Sequence, residues 1–207
     1  MIIKEHLFNE MNDHLLMDER PSDYFENLLR NNLIFRFYPF NFISSLNTIP
    51  QSPAYHPEGN VWNHTMMVID IAARKKDQSA NQEVLMWSAL LHDIGKNGCT
   101  RFKNGKITVS DHDIRGGVLA QKFLWEFKKD SYIVERIASM VRWHMQFNYA
   151  MKDLPYDCLD RMVEACDIFE IGLLSLCDRL GRGGLSEKKI KEEEKNILLF
   201  MDAVYRV

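Results

Sequence analysis

The chain has 207 residues, of which 46% are hydrophobic and 27% are charged. These proportions are typical of a folded globular protein and exclude the disordered and fibrous classes, and the length suits one domain with a sizeable core. The net charge of -3 gives no reason to expect a surface that coats nucleic acid.

The first quarter of the chain predicts two short helices followed by a loop. One helix runs to about Met17, and a second follows Pro21 with Ser22 as its N-cap. Residues 38–59 carry four prolines, so this stretch is predicted to be mostly loop.

The helical pattern is stronger after residue 60. Apolar residues at helical spacing predict helices over residues 62–75, 83–94, 113–127 and 132–144, and over 156–179 in two pieces. Gly95 is predicted to end the second of these helices in a left-handed conformation. Ser186 is predicted to cap a last helix that ends at Tyr205. The inward residues of that helix are predicted to be Ile190, Ile197, Leu198, Met201 and Val204.

Asn104 and Gly105 lie between alternating residues, which is the pattern of a tight hairpin. Strand content is otherwise too low for an α/β sheet. The sequence therefore predicts an all-α helical bundle with one small β-hairpin near residues 101–109. We expect one domain over residues 1–207, with a core of about 52–184, a helical extension over 1–50 and a C-terminal helix over about 186–205.

The four cysteines form no CxxC pair, which favours reduced thiols in a cytosolic protein. Lys4 and Glu5 follow the first three residues at once, so no signal-peptide apolar segment is predicted. No apolar run approaches the roughly 20 residues that a membrane span needs. We therefore expect a cytoplasmic protein that does not contact a membrane.

Polar residues lie on the apolar faces of four predicted helices: His64, His92, His144 and Asp178. A single histidine on such a face is more often a hydrogen-bonded core residue. An unpaired buried carboxylate costs roughly several kcal/mol, however, so four inward polar side chains are best explained if they converge on a metal ion. Asp93 follows His92 directly, and helix neighbours point about 100° apart. Both can bind one ion only near a helix end, or if Asp93 reaches around.

An anionic aspartate beside a neutral histidine also suits a pair of ions, because a carboxylate can bridge them. His112 and His144 are then candidate ligands for the second ion. Mixed ligation by histidine and carboxylate suits Fe, Mn, Co, Ni or Zn, and Mg less naturally. The sequence thus predicts one or two divalent ions, with a transition metal favoured.

Five separated motifs carry a resemblance to a known family. They are residues 56–65 (HPEGNVWNHT), 91–96 (LHDIGK), 112–117 (HDIRGG), 141–144 (VRWH) and 177–182 (CDRLGR). In this order they resemble the HD-domain superfamily of metal-dependent phosphohydrolases. The similarity is closer still to the HD domain at the C-terminal end of bacterial CCA-adding tRNA nucleotidyltransferases, and it covers roughly residues 52–184.

The resemblance implies an all-helical fold and a first ion bound by four residues: His64, His92, Asp93 and Asp178. His112 and His144 would bind a second ion or contact the phosphate. Asn60 stands where this subgroup usually has Asp, and Asp113 where it usually has Glu. Residues 1–50 contain no Gly-rich strand with paired aspartates, so CCA addition is not expected.

The expected reaction is hydrolysis of a phosphomonoester or a cyclic phosphodiester. A divalent ion lowers the pKa of bound water and neutralises charge on the phosphoryl oxygens. Asp93 would bridge the ions and orient the attacking group, and Lys96 would assist as a second catalytic residue. Lys96 and Arg182 are candidates to hold the phosphate.

Each of these secondary assignments has a simpler alternative. Lys96 suits a cation at a helix C-terminus, and Arg182 suits a surface position after a glycine. His56 and Glu58 are candidates to line the mouth of the substrate pocket, or they shape a turn in the proline-rich loop.

The resemblance suggests a small-molecule phosphoester as substrate, either a nucleotide or an RNA end. The negative net charge favours the small nucleotide. Two other functions are compatible with the sequence: an HD-fold di-iron oxygenase, and a non-catalytic nucleotide-binding regulatory module. Degenerate modules usually lack a ligand, whereas this chain has the full set.

Overall fold

The computed structural model describes residues 2–150 and 159–205. The described helices are α1 (Ile2–Met17), α2 (Pro21–Asn31), α3 (Asn41–Ser44), α4 (Val61–Lys75), α5 (Gln82–Leu91), α6 (His112–Trp125), α7 (Ser131–Trp143), α8 (Gln146–Ala150), α9 (Leu159–Ala165), α10 (Ile168–Leu180) and α11 (Glu187–Tyr205). Short 3₁₀ turns lie at Leu33–Arg36, Ser45–Thr48, Lys76–Gln78 and Ile94–Lys96. The predicted all-α fold with one small hairpin is confirmed.

The hairpin joins β1 (Thr100–Lys103) and β2 (Lys106–Val109) in an antiparallel pair, with Phe102 opposite Ile107. Asn104 and Gly105 both have positive φ, 49° and 71°. This is the conformation that a two-residue type I′ turn requires, and Asn-Gly adopts it readily. The hairpin predicted near residues 101–109 is therefore confirmed.

Helix α5 is the centre of the bundle. Every residue from Val84 to Leu91 is buried, as expected for a helix that is apolar on all sides. Helices α1, α4, α7 and α10 pack against it, while α6 packs on α7 and α11 on α10. The C-terminal end of α5 therefore opens into the middle of the fold, close to four other helices.

One prediction for residues 20–60 is wrong. Helix α2 begins at Pro21, so Ser22 is not its N-cap; the hydroxyl and N–H of Ser22 instead donate to the Asp70 carboxylate, at 2.8 and 3.1 Å. The stretch predicted as mostly loop is indeed mostly loop, and its helical part is confined to α3 and the 3₁₀ turn that follows it. Phe40, Ile43 and Leu46 are buried there, because tertiary packing holds these short helical turns.

The C-terminal half follows the predicted pattern with one error. Helices α9 and α10 are the two predicted pieces, although residues 156–158 lie outside the described part of the chain. Ser186 accepts a hydrogen bond from the Lys189 N–H, as its predicted cap role requires. Leu198 is 62% exposed, not inward, whereas Phe200 is buried. The buried stripe continues from Ile197 through Phe200, and Leu198 lies about 100° away from Ile197 around the helix.

The described cysteines form no disulfide. Cys99, Cys166 and Cys177 are free, and burial raises the pKa of Cys166 and of Cys177 to about 12. Cys158 lies outside the described residues. Within residues 2–150 and 159–205, no helix combines the length and apolar character needed to cross a bilayer.

Gly95 does not end α5 in a left-handed conformation. The helix ends at Leu91, and Gly95 lies in the following 3₁₀ turn without a positive φ. A glycine is needed here for close packing, because a Cβ at this position would lie 1.9 Å from the His112 carbonyl oxygen and 2.6 Å from the Gly116 nitrogen. Gly95 therefore allows the backbone of α6 to approach the turn that follows α5.

We expect Gly95→Ala to lower the free energy of unfolding by about 3 kcal/mol or more, because two backbone segments must separate. Gly172→Ala is the matched control. A Cβ at Gly172 meets the flexible end of the Met201 side chain, which can move, so a change within about 1 kcal/mol is expected. Urea denaturation of both variants measures the difference. Equal destabilisation by the two substitutions would contradict this account of Gly95.

Candidate metal centre

The structure brings six of the predicted site residues into one buried cluster. They come from α4, from the ends of α5 and α7, from the start of α6 and from the last turns of α10. None is more than 5% exposed. The six are His64, His92, Asp93, His112, His144 and Asp178.

His92 and Asp93 lie at a helix end, which is one of the two arrangements in which both could bind one ion. Helix α5 ends at Leu91 and the 3₁₀ turn begins at Ile94, so His92 and Asp93 lie in the short segment between them. Asp93 has φ -100° and ψ 7° there. Both side chains consequently face the same cluster, with His92 Nε2 3.2 Å from Asp93 Oδ2.

The Asp93 carboxylate lies between two pairs of imidazoles. Its Oδ2 is 3.2 Å from His92 Nε2 and 4.0 Å from His64 Nε2. Its Oδ1 is 3.5 Å from His112 Nε2 and 3.9 Å from His144 Nε2. On each side, the candidate ligand atoms all lie within 4.8 Å of one another.

Asp178 extends one of these two groups. Its Oδ1 is 3.0 Å from His64 Nε2. We call the set of His64, His92, Asp93 and Asp178 the first subsite, and the set of Asp93, His112 and His144 the second subsite. The two subsites share Asp93 and place one of its oxygens in each.

Backbone carbonyls fix the rings of His92 and His144. Nδ1 of His92 donates to the Ala89 carbonyl at 2.8 Å, and Nδ1 of His144 donates to the Val141 carbonyl at 2.7 Å. Because a carbonyl only accepts, Nδ1 must carry the hydrogen. In the neutral ring, Nε2 then holds a lone pair that points into the cluster.

Three of the four imidazole nitrogens that face Asp93 lack hydrogen-bond partners. Nε2 of His92, of His112 and of His144 is buried with no partner among the described residues. A buried lone pair beside a carboxylate oxygen is unfavourable unless a proton or a cation lies between them. Several imidazole lone pairs around one carboxylate are the ligand set of a divalent transition metal, so the residues fit such an ion.

The charge states also suit metal ligation. Burial would raise the pKa of Asp93, but the Lys96 ammonium and His92 hold it well below its usual range. For Asp178, burial is likewise outweighed by the His64 hydrogen bond, and its pKa lies well below normal. Burial lowers the pKa of His112 to about 3. Near neutral pH the carboxylates are anionic and this imidazole is neutral, as metal ligands must be.

A cavity of about 400 Å³ lies above the cluster. Asp93, His112, His144 and Asp178 form part of its floor, and Lys96, Arg182 and His56 also line it. Glu58 is not among the described residues that line this cavity, because it lies behind His64, with its Oε1 3.0 Å from His64 Nδ1.

Lys96 is held inside the site. Its Nζ donates to Asp93 Oδ2 at 2.6 Å and to Gln51 Oε1 at 2.7 Å, and the residue is only 8% exposed. It is thus not a solvated cation at a helix end. Arg182 is also drawn inward: its Nη2 lies 4.0 Å from Asp178 Oδ1, and its buried Nε has no partner within the described chain.

Sequence reasoning missed other residues that line the cavity. Arg179 makes a paired ion contact with Glu193, with Nε 2.8 Å from Oε2, and its Nη1 donates to Asn148 Oδ1 at 3.3 Å. Arg179 lies next to Asp178 in the CDRLGR motif, which was the available signal. Gln51 lies in the proline-rich loop, where no pattern marked it. The apolar lining residues that were missed are Tyr55, Ile107, Val109 and Met145.

Comparison with known proteins matches this chain to one family. The model of the HD domain matches residues 61–183. Proteins named "Multifunctional CCA protein" are similar: that of Halorhodospira halophila is 28% identical over 183 residues, which cover 82% of this chain and 40% of the relative. The one from Alkalilimnicola ehrlichii is 25% identical over 213 residues, covering 100% and 48%. That of Actinobacillus pleuropneumoniae serotype 5b is 28% identical over 172 residues, covering 81% and 41%. This chain spans less than half the length of these relatives.

Proposed function

The chain belongs to the HD domain family, and we propose on this premise that it is a metal-dependent phosphohydrolase. The proposed substrate is a phosphomonoester or a cyclic phosphodiester of a nucleotide or of an RNA end. The single observation that carries the proposal is the position of Asp93, one oxygen of which faces each of two histidine pairs.

Under this proposal the first and second subsites each hold one divalent ion. Bound ions of this kind lower the pKa of water and neutralise the charge that develops on phosphoryl oxygens. Asp93 would serve both subsites, because a carboxylate can offer one oxygen to each. His92 and His144 present Nε2 in a fixed direction, since their Nδ1 atoms are bonded to backbone carbonyls.

Lys96 would act as a positioning residue for Asp93. Its ammonium holds Asp93 Oδ2 through a charge-assisted hydrogen bond of 2.6 Å and is itself anchored by Gln51. This pairing restricts rotation of the carboxylate between the two subsites. Lys96 also lines the cavity, so its ammonium lies close to where a phosphate would enter.

The cavity supports a nucleotide as substrate. Its volume of about 400 Å³ lies in the range of small-molecule sites. Arg182 supplies positive charge among its lining residues, whereas the charge of Arg179 is paired with Glu193. Tyr55 and Ile107 belong to its apolar lining. A nucleotide combines an anionic group with a flat, weakly polar base, which matches this mixed lining. The name of the relatives, Multifunctional CCA protein, agrees with a nucleotide or an RNA end.

The test is a hydrolysis screen on protein stripped of metal with a chelator and reloaded with one metal at a time. Fe(II) under anaerobic loading, Mn, Co, Ni, Zn and Mg are compared on an aryl phosphate, on nucleoside 2′-, 3′- and 5′-monophosphates, and on 2′,3′-cyclic nucleotides. We expect metal-dependent release of phosphate or opening of the cyclic ester. Bound metal and bound nucleotide without turnover would instead indicate a regulatory module. Substrate-dependent oxygen consumption would indicate a di-iron oxygenase.

Arg182→Ala is expected to lower kcat/KM by about 10- to 100-fold, mainly through KM, because a charge-assisted hydrogen bond to phosphate is worth about 1.5–3 kcal/mol. Steady-state kinetics on the best substrate of the screen measure the effect. The matched control is Arg161→Ala, since Arg161 is exposed on α9, away from the cavity lining. An Arg182 variant with an unchanged KM would remove this residue from phosphate binding.

A further inference from the structure

Glu58 lies buried at the junction of three parts of the site. Its Oε1 is 2.8 Å from His56 Nδ1 and 3.0 Å from His64 Nδ1, and its Oε2 accepts the Gly183 N–H at 3.1 Å. Its own backbone carbonyl accepts from Asn63 Nδ2 at 2.8 Å. The side chain is only 4% exposed. The carboxylate is therefore held in place from several sides and faces protein groups, not the cavity.

Carboxylates lie on both sides of the His64 ring. Nε2 is hydrogen-bonded to Asp178 Oδ1 at 3.0 Å, and this bond occupies two candidate ligand atoms of the first subsite without any ion. On the other side, Glu58 Oε1 lies 3.0 Å from Nδ1, which has no hydrogen-bond partner of suitable geometry among the described residues. For Nε2 to bind a cation, the hydrogen of the neutral ring must lie on Nδ1, and a carboxylate can only accept it. Glu58 is the acceptor within reach of that hydrogen.

We propose that Glu58 is a positioning residue for the metal ligand His64: it accepts the hydrogen that Nδ1 must carry when Nε2 leaves Asp178 and binds a cation. This inference rests on the proposed function. His92 and His144 have a neutral backbone carbonyl at the equivalent place, whereas His64 has a carboxylate. A carboxylate partner raises the basicity of a ligating imidazole more strongly, so Glu58 also strengthens ligation at the first subsite.

A different role for the same three side chains is less consistent with the contacts. His56, Glu58 and His64 have ligand atoms close enough for an ion of their own. Such an ion would need Nδ1 of His64 as a ligand, while the first subsite needs Nε2 of the same ring. A neutral imidazole carries a hydrogen on one of these nitrogens, so it cannot serve both subsites. With Glu58 as an acceptor for Nδ1–H, and not as a ligand, this conflict does not arise.

The test is cobalt binding to the full chain in competition with a chelator, followed by calorimetry and by the optical spectrum of the bound ion. We expect Glu58→Gln to weaken binding at the first subsite by about 10- to 100-fold, the usual effect of removing such a partner. His56→Ala is the matched control: it removes the other imidazole on Glu58 Oε1, and cobalt affinity should stay within about 2-fold. Thermal melting of the metal-free proteins reports whether each variant folds.

Each other outcome overturns the inference. If Glu58→Gln binds cobalt like the unmodified chain but raises KM, Glu58 acts on the substrate. If the unmodified chain binds three ions and the variant binds two, the Glu58 carboxylate is itself a ligand of the third ion. If Glu58→Gln does not fold, Glu58→Asp replaces it in the test, because the shorter side chain keeps the charge but moves it away from His64. A Glu58→Asp variant with the cobalt affinity of the unmodified chain would refute the positioning role of Glu58. If the unmodified chain does not bind cobalt, the proposed function is refuted together with the role of Glu58. If the unmodified chain binds cobalt and Glu58→Gln binds it equally well, only the role of Glu58 is refuted.

Discussion

Replacing Asp93 with Asn is expected to abolish metal binding and to lower kcat for phosphoester hydrolysis by about 10³-fold or more. An amide has only one acceptor oxygen, so it cannot serve both subsites, and its NH₂ group would face one of the histidine pairs. The loss of the ions removes stabilisation worth several kcal/mol, and each 1.36 kcal/mol is about tenfold in rate. Elemental analysis of the purified variant, run beside the phosphate-release assay, measures both effects.

Two controls make this result specific to the site. Asp160→Asn makes the same chemical change at an exposed position on α9 and should leave both metal content and activity unchanged. Asp93→Asn also leaves the buried Lys96 ammonium without its carboxylate, which can destabilise the fold. Adding Lys96→Met removes that unpaired charge, so the double variant tests the ligand role if the single variant unfolds. Retention of both ions by a folded Asp93→Asn variant would refute the shared-carboxylate site.

The inward positions of the cluster could be predicted because helical spacing reports which face of a helix is buried. His64 on α4 and Asp178 on α10 are separated by 114 residues, yet each follows the apolar period of its own helix. The adjacency of His92 and Asp93 left two possibilities, a helix end or an Asp93 side chain that reaches around, and the structure has the helix end. A bridging role for Asp93 between two sets of ligands was expected, but the distances from its oxygens to the two histidine pairs depend on how closely α6 packs on the turn containing Gly95.

The contacts that support the cluster were not predicted, for a related reason. Glu58 was a candidate for the pocket mouth and Gln51 was not singled out, because both lie in irregular loops, where no period reports the direction of a side chain. Ser22 forms a good local capping pattern but hydrogen-bonds to Asp70, 48 residues away. Such tertiary partners compete with local signals, and a single sequence does not record which one is satisfied. The candidate ligands were thus more predictable than the residues that contact them.

His112→Ala and His144→Ala are each expected to leave one bound ion per chain where the unmodified protein binds two. Both rings belong only to the second subsite, while the first subsite keeps its four ligands: His64, His92, Asp93 and Asp178. We expect kcat to fall by about 10²- to 10³-fold, since one ion can no longer neutralise charge on the phosphoryl group. Metal stoichiometry by elemental analysis and steady-state kinetics measure the two effects.

This pair of variants decides between one ion and two. His6→Ala, which alters a histidine whose side chain is 74% exposed, controls for adventitious metal bound by surface imidazoles. If the unmodified chain binds one ion and His112→Ala raises KM without changing that number, the second pair of histidines contacts the phosphate directly. The two results differ in a measured count of ions, so they separate ligation from substrate contact even if both variants lose activity. Nε2 of His112 and of His144 faces Asp93 Oδ1 and has no hydrogen-bond partner among the described residues. A phosphate oxygen between these nitrogens and Asp93 would add another acceptor where donors are already lacking, so the two-ion result is favoured.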